Sequence, residues 1–467
     1  MTTPDPLSID AFRDAGHALI DWLADFHAGI AYRPIRPDVA PGEIRSRLPA
    51  AAPEEPEPFG SLLADLDDVV VPGLLQWQHP GWFGYFPSNT SPASILGELA
   101  SAGLGVQGML WATSPAATEI ESHVLDWLVD LMGLPATWRV DQGPGGGVIQ
   151  MSASDSTHTA HVVARDIATR DGAATDDVVA YASAQAHSSV EKGARVAGYR
   201  HVRLVEVDGV QALRPQALAA AIASDLAAGL RPAIVTSAIG TTGTAAVDPV
   251  AAIADLAVEH GLWHHVDAAY AGSAMLCEEF RHHQVGVDRV DSYTWNPHKW
   301  LFTNFDCSVF WVADRAPLIR ALSILPPYLR NAASDAGEVV DYRDWHVPLG
   351  RRFRALKLWW VLRSFGAADL RLRIREHVRL ARELADRIEA HPNLRVVSPV
   401  HFGLVCFEHA DGDAATDRVA AAVNLDPGLY VTPSVLDDRH IIRVAIGQAR
   451  TTAHDTDRLW AVINATA

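Results

Sequence analysis

The sequence predicts an α/β protein: a large, mostly parallel sheet domain, preceded by a helical arm and followed by a small α+β domain. Three patterns predict it. Between about residues 90 and 350, short apolar runs alternate with stretches of helical periodicity, the arrangement of parallel strands joined by covering helices. Ahead of that region stand an amphipathic segment and a proline-rich connector. Behind it come a long helical stretch and several short strand-like runs. At 467 residues the chain is too long for one compact core. We divide it at 1–88 (arm), 89–355 (large domain) and 356–467 (small domain).

Residues 9–30 place Phe12, Ala15, Leu19, Trp22, Leu23 and Phe26 at helical spacing, with Asp10 as the candidate N-cap. Residues 34–58 are rich in proline and read as an extended connector. Residues 59–70 read as a short amphipathic helix. This arm is too thin to bury its own apolar faces, so a second chain is expected to cover them. Strands are predicted at 178–183, 201–207, 233–239, 262–268 and 308–314, and helices at 118–132, 156–170, 214–227 and 249–260. Ligands of such sheets sit at the carboxyl ends of the strands. Residues 352–390 read as helical. The runs LRVVSP, GLVCFEH and IIRVAIG supply strands of the small domain.

The formal net charge of -18 argues against binding nucleic-acid phosphates or an anionic membrane. No apolar run is long enough for a bilayer, and the N-terminus lacks the pattern of a secretory signal. Cys277, Cys307 and Cys406 are widely spaced and odd in number, which suggests neither a disulfide framework nor a metal site. A cytoplasmic protein is expected. Of 38 basic residues only Lys192, Lys299 and Lys357 are lysines. Arginine does no amine chemistry, so each lysine invites a chemical question.

Lys299 stands in Asn296-Pro297-His298-Lys299-Trp300, with Trp295, Leu301 and Phe302 around it. A buried ammonium there would be costly. Desolvation lowers its pKa and makes it a nucleophile toward aldehydes. The plain alternative is a lysine snorkelling from a strand edge. Lys192 is expected to be solvated and Lys357 to snorkel along its helix. Asp267 ends the run LWHHVDA, where a carboxylate needs a partner. A protonated pyridine nitrogen is one, and a cap or salt bridge is another. The segment Gly145-Gly146-Gly147-Val148-Ile149-Gln150-Met151-Ser152-Ala153-Ser154-Asp155 reads as a phosphate cradle or as a glycine-rich turn with a serine cap. Gly240-Thr241-Thr242-Gly243 is a second candidate for a cofactor-facing loop. His187 could stack on a flat cofactor or be an ordinary cap. Residues 326–341 have the composition of a lid, with Tyr328 its one reactive side chain.

Together these motifs resemble the aromatic-L-amino-acid decarboxylases, the group II decarboxylases of pyridoxal-phosphate (PLP) fold type I, the aspartate aminotransferase-like fold. The resemblance runs nearly the whole chain, through HPGWFGYFPS, WATSPAATEIE, GGGVIQMSAS, AHSSVEK, HVDAAYAGS, NPHKWLFTNFDCS and DYRDWHVPLGRRFRALK. It implies PLP as cofactor and a homodimer with shared sites. It implies that Lys299 is the Schiff-base lysine, Asp267 the partner of the pyridine nitrogen and His187 the stacked imidazole. Ser152, Ala153, Ser154, Thr242, Ala269, Asn296 and His298 match further cofactor positions. Tyr328 matches the proton donor. Trp77, Phe86, Pro87, Ser88, Met109 and His187 match the substrate pocket. Gly350 matches a position where relatives that take histidine, and many plant tyrosine-type members, carry serine. Glycine leaves room for an indole or catechol. L-tryptophan is therefore favoured, ahead of L-DOPA, 5-hydroxytryptophan, L-tyrosine and L-phenylalanine.

The nearest rival is an aldehyde synthase. Its plant members typically carry phenylalanine at the lid tyrosine, and its insect members alter the stacking histidine; Tyr328 and His187 stand at these positions here. Aminotransferase and glutamate decarboxylase fit less well, the latter for want of a cationic pocket around Phe86. A metal hydrolase on His264-His265 or His282-His283 fits poorly. Neighbours on a strand face opposite ways, neither pair has zinc-ligand spacing, and no metal is expected. A non-catalytic scaffold would not need every reactive position.

Overall fold

The computed structural model describes residues 5, 7–324 and 339–467. Its large sheet contains β1 (Gly146–Gln150), β2 (Val178–Ser183), β3 (His201–Val205), β4 (Arg231–Ala238), β5 (Trp263–Asp267), β6 (Ser292–Trp295) and β7 (Ser308–Val312). Their spatial order is β1-β7-β6-β5-β4-β2-β3. The ladders β6-β5-β4-β2-β3 are parallel, and β7 runs antiparallel to both of its neighbours. The central strands are apolar and buried on both faces, as a helix-covered parallel sheet requires. Helices Ala153–Ala168, Pro215–Ala227 and Val250–His260 fall close to their predicted positions.

Four expectations need correction. The arm helix, Ile9–Gly29, is capped by Ser8 and not by Asp10. Ser8 has extended backbone, and its hydroxyl accepts the N–H of Ala11. The 59–70 helix stops at Asp65 and gives way to a wider turn over Leu66–Val70. The glycines at 146 and 147 belong to β1. A Cβ on Gly146 would stand 2.6 Å from the Trp345 ring, and one on Gly147 2.6 Å from Trp311 Nε1, so these glycines admit indoles. Finally, Lys357 does not snorkel. Its side chain is 1% exposed, and its ammonium lies 2.7 Å from Glu98. Burial pushes its pKa down to about 8.

The long helix Ala355–Glu389 is broken at Gly366, whose φ of 71° needs no Cβ to be avoided. Its first part packs on the large sheet's core. Its second part, from Leu380 to Ile388, packs on β9 (Leu404–His409) and β11 (Arg439–Ala445). With β8 (Leu394–Val396) and β10 (Thr432–Leu436) these form a four-stranded antiparallel sheet, order β10-β11-β9-β8. The segment 77–89 threads this small sheet back to the large one. Phe83 donates its N–H to Tyr430 and accepts that of Ala445. The arm helix has no buried residue and leaves Ile9 and Phe12 about two-thirds exposed. No helix among the described residues is long and apolar enough to cross a membrane.

Candidate active site

The carboxyl ends of β4, β5 and β6 deliver three motifs to one cleft, as the parallel topology dictates. β4 leads into Gly240-Thr241-Thr242-Gly243, β5 ends on Asp267, and β6 runs into the single helical turn Pro297–Trp300 that carries Lys299. The cleft has a volume of about 210 Å³. Lys299, Asp267 and His187 all line it, as do Ser152, Ala153, Ser154, Thr242, Ala269, Asn296 and His298.

Lys299 is desolvated, which pushes its amine below the ordinary lysine range. Asp267 opposes that shift and Arg443 adds to it. Its Nζ sits 5.5 Å from the centre of the Phe86 ring. Asp267 Oδ1 accepts the N–H of Ala269, which fixes the carboxylate at the strand end. His187 precedes the Ser188–Val196 helix. Its Nδ1 accepts the N–H of Ser189, so the neutral ring carries its proton on Nε2. Burial holds the imidazole below its ordinary pKa. His298 is kept neutral more firmly. Burial pushes it down to about 3, and its Nδ1 accepts the Cys307 N–H at 2.9 Å. Asn296 is held by Ser308, whose hydroxyl donates to Oδ1 at 2.6 Å. Ser152 does act as a cap: its hydroxyl accepts the N–H of Asp155 at the head of the Ala153–Ala168 helix. The helix start, Ser152 to Ser154, also lines the cleft, and an anion is favoured at a helix N-terminus.

These residues fit PLP chemically. A desolvated amine suits its aldehyde, a carboxylate its ring nitrogen, an imidazole its ring face, and a hydroxyl-rich helix N-terminus its phosphate.

Of the residues matched to a substrate pocket, Phe86 and His187 line the cleft among the described residues. Trp77 packs against Trp82 at 4.5 Å, Pro87 lies against Gly447, and the Ser88 carbonyl accepts from Gln78. Met109 and Gly350 are not in that lining, and the segments that carry them are joined where Gly108 donates its N–H to the Arg351 carbonyl. The Gln107 amide stands 3.4 Å from where a Gly350 Cβ would be, and Arg343 donates its N–H to the Met109 carbonyl. Tyr328 lies outside the described residues.

The sequence reading missed Arg443, Tyr270, Ser189 and Phe305. Tyr270 stacks on Phe86 at 3.8 Å, and Arg443 lies 5.4 Å from the same ring. Arg443 also donates to the carbonyls of Thr242 and Gly243, bracing that loop from β11. The signal for it was a lone arginine inside the apolar run IIRVAIG.

Comparison with known proteins agrees with this geometry. The pyridoxal-dependent decarboxylase conserved domain matches residues 41–410. The chain is 42% identical to a phenylacetaldehyde synthase of Arabidopsis thaliana, over 98% of this chain and 96% of that one. It is 40% identical to tryptophan decarboxylase 2 of Oryza sativa subsp. japonica, over 98% and 95%. A crystal structure of Oryza sativa TDC with PLP and tryptamine superposes with a TM-score of 0.97 at 38% identity, covering 99% of each chain. A cleft built for PLP, on a frame shared end to end with such proteins, leaves one conclusion: the chain belongs to the pyridoxal-dependent decarboxylase family and is a PLP-dependent carboxy-lyase of fold type I.

Proposed function

We propose that this enzyme removes the carboxyl group of an aromatic L-amino acid and releases the amine and CO2, with L-tryptophan as the favoured substrate. L-DOPA, 5-hydroxytryptophan, L-tyrosine and L-phenylalanine are the alternatives. The observation that carries the proposal is the convergence of Lys299, Asp267 and His187 in one cleft beside the Phe86–Tyr270 aromatic pair.

Lys299 would hold the aldehyde of PLP, Asp267 its ring nitrogen and His187 its ring face. Ser152, Ala153 and Ser154 would receive its phosphate, with Thr242, Ala269, Asn296 and His298 completing the bed. When bound, PLP supplies the electron sink for the pair left at Cα as CO2 departs. The chain's own groups do the rest. Burial favours the neutral Lys299 amine, so it can yield to the incoming substrate amine and later displace the product amine. The Asp267 carboxylate favours a protonated ring nitrogen. Tyr328 delivers a proton to Cα of the product. Phe86 presents an aromatic face to the substrate side chain.

The dimer belongs to the same proposal. Met109 and Gly350 are not among the residues lining this chain's cleft. They, with Trp77, Pro87 and Ser88, complete substrate contacts in the assembled enzyme, and Met109 faces the cleft of the other copy. The exposed apolar face of the arm helix is covered by that copy. A cytoplasmic setting is in keeping with three free, buried cysteines.

A second reading, oxidative conversion to an aldehyde with uptake of oxygen and release of ammonia, is favoured by the 42% identity to a phenylacetaldehyde synthase. Tyr328 favours the amine. The test is a panel of aromatic amino acids with amine and aldehyde quantified separately. Amine from wild type, aldehyde from Tyr328→Phe and neither from Lys299→Ala are expected. Aldehyde as the main wild-type product would overturn the first reading, and only amine from Tyr328→Phe would remove Tyr328 from its role.

A further inference from the structure

We propose that Asn89 is a positioning residue for Lys299, holding the backbone of the reactive lysine to the small domain. Asn89 is 1% exposed. Its Nδ2 donates to the carbonyl of Lys299 and to that of Gly447, both at 2.8 Å. Its Oδ1 accepts the N–H of Ala449, also at 2.8 Å. Both amide hydrogens and one lone pair are therefore in use. Aspartate would lose both donors, and leucine would lose everything but shape.

The Lys299 carbonyl needs such a donor. Pro297–Trp300 is one helical turn, so its carbonyls have no following turn to serve them. Phe302, at a φ of 52°, then turns the chain away. Asn89 supplies the missing donor from a segment 210 residues distant. The other two bonds of Asn89 go to the 447–449 loop after β11. There Gly447 leaves no room for a Cβ, which would stand 2.9 Å from Pro87 and 3.1 Å from Trp300. Trp300 in turn stacks on Tyr270 at 4.9 Å and donates its indole N–H to His377. One carboxamide thus ties the lysine turn, the 77–89 segment and the small domain together.

A purely structural staple would behave differently, and the chain contains one for comparison. Gln78 laces the same segment. Its Nε2 donates to the Ser88 carbonyl, and its Oε1 accepts from Thr90 N–H and from Gln448. None of these bonds reaches Lys299.

The inference rests on Lys299 being the amine that holds PLP, and the experiment separates the two. Full-length Asn89→Ala, Asn89→Ser, Gln78→Ala and Lys299→Ala proteins are compared with wild type. Three quantities are read: melting temperature, PLP dissociation constant by tryptophan fluorescence, and the pH midpoint of the visible band of Lys299-bound PLP. Borohydride trapping and peptide mass locate the adduct. Loss of a buried hydrogen bond to the lysine turn should weaken PLP about tenfold in Asn89→Ala and shift the band midpoint. Asn89→Ser should fall between, and it carries the test alone if the alanine variant does not fold. Gln78→Ala should lower the melting temperature yet leave the midpoint in place. A midpoint unchanged in both Asn89 variants, or shifted equally by Gln78→Ala, would overturn the inference. A borohydride-stable adduct in Lys299→Ala would instead remove Lys299 from its assigned role.

Discussion

The ion pair between Arg351 and Glu121 offers a stringent test of how the edge beside Met109 and Gly350 is held. Both side chains are 2% exposed, and their N–O distance is 2.6 Å. Arg351 also donates to the carbonyls of Ile149 and Gly108, and its guanidinium lies 4.5 Å from the Tyr342 ring centre. Glu121 additionally accepts the N–H of Ile149 at 2.8 Å. Arg351→Met would leave a buried carboxylate with that single donor. Breaking a buried pair from one side costs about 3–5 kcal/mol, so we expect a loss of about 4 kcal/mol. Glu121→Leu should cost a similar amount for the mirrored reason. The double variant buries no charge. It strands the Ile149 N–H and two carbonyls, at about 1–3 kcal/mol for each poorly satisfied group. The single variants strand those same groups and a lone buried charge besides, so the double loss should fall short of their sum by about 0.5–3 kcal/mol. Guanidinium titrations followed by circular dichroism and tryptophan fluorescence measure this. Strict additivity would refute the claim that the two charges answer each other.

Four further outcomes are expected. Gly97→Ala should destabilise the fold by about 1–3 kcal/mol net of its helix-propensity gain, because the new Cβ would stand 2.6 Å from Lys357 Cα. Gly16→Ala, with nothing near it within its own chain, should stabilise the arm helix by up to about 1 kcal/mol in thermal melts at protein concentrations too low for the second copy to cover that face. His264 and His265 are fully buried, and burial pushes both down to about 3. Between that pH and about 6.5 the unfolded chain binds protons that the folded chain refuses. Stability is therefore present above about 6.5 and drains as pH falls, by up to about 1.4 kcal/mol per pH unit for each histidine. Denaturation at stepped pH should show a shallower slope for His265→Gln; an unchanged slope would mean this ring is not the neutral group inferred. Lys357→Met should be milder than Lys357→Ala, by about 2 kcal/mol in chemical denaturation, because methionine refills the stem's volume.

The reactive centre was legible because its parts lie at strand ends, where apolar runs stop and a polar residue stands out. Asp267 and Lys299 are of that kind, and the parallel sheet brings their strand ends together with no further information. The rest depends on partners far away in sequence. Asn89 has no local signature, since its bonds go to residues around 299 and 448. Glu121 and Arg351 are 230 residues apart, so nothing local to either shows its partner. Lys357 reads as snorkelling along its helix because helical periodicity cannot show that Glu98 waits on another helix. The glycines of β1 were misassigned for a related reason. Glycine announces a close approach but not by what, and Trp345 and Trp311 approach from distant parts of the chain.

The sheet also sorts the effects of mutation in space. Positions inside β4, β5 and β6 are sealed on both faces, so an altered residue there is felt as lost folded protein. One to four residues past the same strand ends, at Thr242, Ala269 or Asn296, the frame is already complete and an altered residue changes what the cleft does. A lineage could therefore revise its choice of amino acid loop by loop while inheriting the frame intact. A chain whose relatives carry the names of both decarboxylases and aldehyde synthases is what such a division would produce.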